Sequence, residues 1–159
     1  MTDSDGDAKR CAFRLLSYRG RSEREMRERL FKKGFSEEIV SRTLDYLKQT
    51  GLIDDAALAA NLKRQALEQK YLGYGAARQF MQKRGLPREL IGQTLGYDDV
   101  MELGNARKLL DKKCRTMGNY LTKKDKKRLY DFLARRGYPP AVIGKVLGDL
   151  NFREGEGEC

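Results

Sequence analysis

Leu30-Phe31-Lys32-Lys33-Gly34-Phe35, Met81-Gln82-Lys83-Arg84-Gly85-Leu86 and Leu133-Ala134-Arg135-Arg136-Gly137-Tyr138 are one pattern written three times. Their glycines stand 51 and 52 residues apart. After each glycine the apolar positions recur at the same offsets: Phe35, Ile39, Val40 and Leu44; Leu86, Leu90, Ile91 and Leu95; Tyr138, Val142, Ile143 and Leu147. A repeat near 50 residues signals an array of supersecondary units. Spacings of three and four within each unit, with no sustained alternation, make those units helical.

Working outward, each unit reads as three helices. In the first they are expected at about 9–18, 22–33 and 36–48, with Ala12/Leu16, Met26/Leu30 and Val40/Leu44 on single faces. Ser22 with Glu25 has the spacing of a capping box, and Ser36 can cap the third helix. The second unit reads as 55–70, with Leu58, Leu62 and Ala66 on one face, then 75–84 and 87–95. Pro87 suits a first helical turn. The third reads as 99–114, 122–136 and 139–150, with Thr122 and Asp125 as a second box and Leu129/Leu133 as core. Gly34, Gly85 and Gly137 fall where a helix ends on a left-handed residue. The expected fold is all-α, three tandem three-helix repeats forming an elongated curved rod, because units this small must pack on one another. The expected domains are a flexible acidic N-terminus (1–8), repeats over 9–53, 54–97 and 98–150, and an acidic C-terminal tail (151–159).

The composition fits thin helical layers: 40% of the 159 residues are hydrophobic, 35% are charged and Trp is absent. Lys and Arg number 33 against 23 Asp and Glu, a formal charge of +10 with no His to alter it. Such a balance implies an acidic partner, with nucleic acid first and an acidic protein groove or anionic membrane as alternatives. Cys11, Cys114 and Cys159 are odd in number and far apart, which suits a reducing compartment. The start of the chain lacks the basic-then-apolar pattern of a signal peptide, and no apolar run approaches the roughly 18 residues of a membrane span. The expected localisation is cytoplasmic.

The absence of His excludes His-dependent zinc motifs, Ser-His-Asp triads and Cys-His nucleophile pairs within the chain. Gly73-Tyr74-Gly75 is weak as a phosphate cradle and reads better as a loop. Asp54-Asp55 and Asp98-Asp99 precede apolar-periodic segments, where carboxylates cap helices and meet their positive ends better than they bind a cation. No catalytic, cofactor or metal residue is expected.

Charge is assigned by repeat position. The second helices (22–33, 75–84 and 122–136) carry +2, +3 and +5, together the whole net charge, while the third helices carry −1, 0 and 0. A helix-turn-helix reader needs Arg, Lys, Asn or Gln at the groove-facing start of its third helix. Ser36-Glu37-Glu38, Pro87-Arg88-Glu89 and Pro139-Pro140-Ala141 do not provide that, so base-specific reading is disfavoured. What remains is a set of cations able to meet a phosphate backbone or an acidic groove. The candidate binding residues are Arg24, Arg27, Lys32 and Lys33; Arg78, Lys83 and Arg84; and Lys123, Lys124, Lys126, Lys127, Arg128, Arg135 and Arg136. A solvated helix face is the bland alternative for these runs. Tyr18, Tyr71, Tyr74, Tyr120 and Tyr130 could stack on bases, but half-buried packing is the expectation for most of them.

Several motifs resemble the RecX family: Arg19-Gly20-Arg21-Ser22 with Glu25, Lys32-Lys33-Gly34-Phe35, Gly51-Leu52-Ile53-Asp54-Asp55, Gly73-Tyr74-Gly75, Lys83-Arg84-Gly85-Leu86, and Phe132-Leu133-Ala134-Arg135-Arg136-Gly137-Tyr138. The resemblance spans about 12–150, and the order and spacing of the motifs carry it. It departs from the family at Ala76, where many members have Pro, and at Leu58, where an aromatic is common. The resemblance implies tandem three-helix repeats and regulation by binding, without catalysis or a cofactor. It implies a protein that lies in the groove of the RecA filament on single-stranded DNA and suppresses its ATP hydrolysis, strand exchange and co-protease activity; a monomer is expected. Contact with single- or double-stranded DNA through phosphates is a further expectation, and no membrane partner is expected. An independent nucleic-acid-binding module and an oligomerising scaffold are the alternatives.

Overall fold

The structure, a computed structural model, describes residues 4–154. Its helices are α1 (Asp5–Tyr18), α2 (Glu23–Lys32), α3 (Glu37–Gln49), α4 (Asp55–Arg64), α5 (Tyr74–Lys83), α6 (Arg88–Leu95), α7 (Asp99–Cys114), α8 (Lys123–Arg135) and α9 (Pro140–Gly148). The one extended pairing among the described residues is an isolated bridge between Thr122 and Arg153. The all-α repeat is therefore what the periodicity says it is.

The described chain divides into two compact units, one of residues 4–62 and 81–94 and the other of 63–80 and 95–154. In the first unit α3 packs on α1 and α2. Ala8, Ala12, Met26, Leu30, Val40, Leu44 and Leu47 are sealed in its core, and Phe35, Ile39 and Ile53 close it. In the second unit α9 packs on α7 and α8 around Ala106, Leu110, Leu129, Leu133, Ile143 and Val146. The offsets that define the repeat are thus core positions, save for half-exposed Leu90, and each buried Leu or Ile contributes about 1.5–3 kcal/mol.

Helix ends follow the local chemistry, with informative departures. Helix α1 begins at Asp5 rather than near residue 9, because the Ser4 hydroxyl accepts the Asp7 N–H and the acidic first turn favours the positive helix end. Residues 5–8 are therefore helical, not a flexible N-terminus, and Ala8 is fully buried. At α8 the box is complete: Thr122 accepts the Asp125 N–H while the Asp125 carboxylate accepts the Thr122 N–H at 2.8 Å. At α2 only half of the expected box forms. Ser22 accepts the Glu25 N–H at 3.1 Å, but the Glu25 carboxylate turns to Arg19 at 2.6 Å and Arg21 at 2.5 Å. A charged donor outbids a neutral amide for a carboxylate.

The expected helix over 55–70 keeps α-geometry only to Arg64 and continues as a π-turn, Gln65–Gln69, where the Lys70 N–H bonds the Gln65 carbonyl at 3.0 Å. Ala59, Leu62 and Ala66 are its buried positions, while Leu58 is half-exposed. Gly34, Gly85 and Gly137 end their helices at φ +93°, +84° and +91°. In each case the next N–H (Phe35, Leu86 or Tyr138) bonds back to the residue four before the glycine. The acidic tail from 155 onward lies outside the described residues.

Candidate functional site

Each unit contains the same junction, built from the start of one repeat's second helix, the first helix of the next repeat and the Arg-Gly that ends that repeat's second helix. In the first unit the Asp55 carboxylate, from α4, accepts the N–H of Glu23, the first residue of α2, at 3.0 Å. In the second unit the Glu102 carboxylate, from α7, accepts the N–H of Tyr74, the first residue of α5, also at 3.0 Å. Each carboxylate satisfies an orphan amide at a helix N-terminus. Burial, outweighing that hydrogen bond, pushes the pKa of both Asp55 and Glu102 above the ordinary carboxylate value. The Arg84 guanidinium donates to the Gly20 carbonyl at 2.9 Å, and the Arg136 guanidinium donates to the Lys70 carbonyl at 3.3 Å.

Glycine completes both junctions. A side chain on Gly85 would strike the Ser22 hydroxyl that caps α2, and one on Gly137 would strike the backbone of Ala76. Gly73 donates its N–H to the Arg136 carbonyl at 2.8 Å, and an added Cβ there would lie 2.5 Å from the Gly137 carbonyl carbon and oxygen. Gly73-Tyr74-Gly75 therefore opens α5 and offers no phosphate cradle, because the Gly73 and Tyr74 amides are already taken. Asp54 caps α4 by accepting the Ala57 N–H at 3.1 Å, and Asp98 caps α7 by accepting from Val100 and Met101. Asp55 was expected to cap its own helix and caps α2 instead.

The cations expected to bind partners fall into three groups. Arg84 and Arg136 are half-buried in the junctions, and burial, then the neighbouring Arg19, lowers the pKa of Arg84. Arg24 is engaged by Glu28 at 3.2 Å, Arg27 by Glu23 at 3.6 Å, and Lys123 by Glu154 at 2.7 Å. These pairs are open to water and worth about 0.2–1 kcal/mol each, so a stronger anion could displace them. In the first unit Lys32, Lys33 and Lys83 are exposed. In the second unit Arg78, Lys124, Lys126, Lys127, Arg128 and Arg135 are exposed, five of them on α8.

Helix α8 also gathers groups that its own sequence does not reveal. The Arg153 N–H donates to the Leu121 carbonyl at 2.8 Å, which lays the chain after α9 against the start of α8. That places the Lys126 ammonium 5.7 Å from the Phe152 ring centre and the Arg153 guanidinium 4.0 Å over Tyr120. Tyr18, Tyr120 and Tyr130 are exposed, against the expectation of half-burial, while Tyr71 and Tyr74 are half-buried as expected. Among the described residues there is no cluster of His, Cys, Asp and Glu able to hold a metal, and no helix long and apolar enough to cross a membrane.

Residues 8–47 match the model of the first three-helix domain of RecX, and residues 101–147 match that of the third. A regulatory protein RecX from Amycolatopsis mediterranei is 33% identical over 141 residues, covering 88% of this chain and 81% of its own. This chain belongs to the RecX family. The regulatory protein RecX of Chlorobaculum tepidum is 34% identical over 146 residues, 89% of either chain. The crystal structure of RecX from Lactobacillus salivarius superposes with a TM-score of 0.74 at 18% identity, over 91% of this chain and 95% of that one. A second RecX crystal structure gives 0.76 at 25% identity, over 91% of this chain and 73% of the other. The junction glycines and arginines are thus parts of a RecX three-helix array, and α8 is the second helix of the third RecX domain.

Proposed function

We propose that this chain is a non-enzymatic, cytoplasmic regulator that binds the RecA filament on single-stranded DNA and inhibits its ATP hydrolysis, strand exchange and co-protease activity. Membership of a family of regulatory proteins supports the role, and the resemblance set out above supplies the partner. The observation that carries the binding mode is the exposed cationic face of α8. Lys124 and Lys127 are exposed there with no ion pair among the described residues, and Arg128, also exposed, feels only the nearby Asp125 carboxylate. Such a face favours an acidic protein groove or a phosphate chain and costs nothing in the core. Inhibition then follows from differential affinity: a ligand that prefers one relative orientation of adjacent RecA protomers shifts the filament toward it and slows every step that needs the other.

The test is RecA's DNA-dependent ATP hydrolysis, with this protein titrated far below the RecA concentration and a control in excess DNA. Inhibition that persists in excess DNA is expected; its loss there overturns filament targeting. A Lys124→Gln, Lys127→Gln, Arg128→Gln variant should bind more weakly and flatten the salt dependence of binding. Full inhibition by that variant would remove α8 from the mechanism.

The second reading, an independent nucleic-acid-binding module, draws on Tyr120. Its exposed ring beside the start of α8, with Arg153 stacked over it, has the makings of a base-stacking platform. That reading predicts tight binding to single-stranded DNA without RecA, and a steep salt slope.

A further inference from the structure

Within the first unit, α1 and the turn between α2 and α3 enclose a groove of about 430 Å³, to which Lys33 is the one candidate cation that contributes. Its floor is apolar: Phe35 is buried, while Cys11 and Leu15 are half-exposed. Tyr18 stands at one wall, 77% exposed. Arg10 and Arg14, one helical turn apart on α1, and Lys33 form the rim. Arg10 is engaged by Asp7, whose carboxylate is also bonded by the Ser4 hydroxyl. Arg14 and Lys33 face solvent, so the rim holds two cations ready for an anion.

The size is that of a ligand-binding cleft, which runs about 300–1,000 Å³. Two chemistries would satisfy its charge: a nucleotide, with phosphates on the rim, or an acidic peptide. The floor decides between them. Apart from the Cys11 thiol it offers no hydrogen-bonding side chain, so a nucleobase seated there would leave its polar edge unpaired, whereas an aliphatic or aromatic side chain leaves nothing unpaired. Asp7 at the rim would also repel a phosphate chain more than a peptide with spaced carboxylates.

We propose that this groove is a docking site for an acidic segment of a partner protein, seated by one apolar side chain on the Phe35–Leu15 floor and by flanking carboxylates on Arg14 and Lys33. The site is separate from the cations of α8 and does not depend on how they act.

The test uses the full-length protein and a panel of fluorescein-labelled, Asp- and Glu-rich dodecapeptides with Leu, Ile, Phe, Tyr or Trp at the centre. An Ala-centred peptide and a twelve-nucleotide oligothymidylate serve as comparisons. Anisotropy gives affinity. Mass mapping of iodoacetamide alkylation gives occupancy, because Cys11 lies on the floor, and Cys114, on α7 in the second unit, is an internal control. At least one anchored peptide should bind about tenfold more tightly than the Ala-centred one, about 1.4 kcal/mol. The same peptide should slow alkylation of Cys11 and not of Cys114, and should lose about tenfold in affinity with Arg14→Glu or Tyr18→Ala while the helical circular dichroism is unchanged. Equal binding by all peptides, unprotected Cys11, or protection by oligothymidylate exceeding that by every peptide each overturns the proposal. None of these results touches the ATP-hydrolysis test of RecA binding.

Discussion

Replacing Gly137 by Ala tests the junction directly. Gly137 sits at φ +91°, and a Cβ there meets the Ala76 N and Cβ atoms at the start of α5. The left-handed conformation alone costs a non-glycine residue about 1–2 kcal/mol. Forcing a methyl into occupied space adds about 1–3 kcal/mol. The sum, roughly 2–5 kcal/mol, is a large fraction of a stability of about 5–15 kcal/mol. Gly51 is the control, since it also has positive φ (+76°) but nothing lies within 4 Å of its added Cβ. Gly51→Ala should therefore cost only the conformational part, about 1–2 kcal/mol. Urea unfolding followed at 222 nm reads the difference. With a slope near 2 kcal/mol/M, Gly137→Ala should lower the midpoint by about 1–2.5 M and Gly51→Ala by about 0.5–1 M. Equal shifts for the two variants would refute the close approach of Gly137 to α5.

The remaining expectations concern charge and core. Leu133 is fully buried, so Leu133→Ala should destabilise by about 2–5 kcal/mol in the same urea assay. Arg84→Gln should lose about 1 kcal/mol with the Gly20 bond, whereas Arg135→Gln, at an exposed site on α8, should stay within about 0.5 kcal/mol; equal losses would deny Arg84 its structural role. Glu102 and Glu25 should behave oppositely with pH. Burial raises the Glu102 pKa, so its contribution is present below the unfolded carboxylate value near 4.5 and is lost as pH rises through the higher folded one; thermal melts should show wild type gaining on Glu102→Gln as pH falls. At Glu25 burial is outweighed by Arg19 and Arg21 and the pKa is lowered. Its contribution is therefore present above about 4.5 and lost as pH falls through the folded value, so the cost of Glu25→Gln should shrink in acid.

What was legible in the sequence was local. The Thr122–Asp125 box, the Ser36 cap and the three left-handed glycines depend on residues within one turn of each other, and the apolar offsets fixed the core because α9 and α3 bury the same positions. The failures came from competition or distance. Glu25 had the right spacing for a box and lost it to two arginines in the preceding loop. Asp55 and Asp54 looked alike as caps, but one residue of rotation on α4 turns Asp55 toward the start of α2, 32 residues away. The exposed tyrosines were misjudged because a ring near a helix end reads the same whether its neighbours cover it or not. Tyr120 is wet, while Tyr71 carries the Lys112 ammonium on its ring and accepts the Tyr138 hydroxyl on its carbonyl.

The junction arginines carry the lesson furthest. Arg84 and Arg136 occupy the same place in the repeat as Lys33, one residue before the glycine, and charge counting treats the three as equals. The structure separates them: both arginines reach a backbone carbonyl more than sixty residues earlier in the chain, and Lys33 faces solvent. A guanidinium suits the task, since its fork presents several donors and resists deprotonation even where burial opposes its charge. The Arg-to-Lys difference between otherwise matching repeats marks which of the three cations ties one repeat to the next. Subtracting the junction pair leaves the excess positive charge concentrated on α8, the same helix that gathers Phe152, Arg153 and Tyr120. The positive charge of the chain is therefore of two kinds: a half-buried pair that ties one repeat to the next, and an exposed majority that makes no such tie.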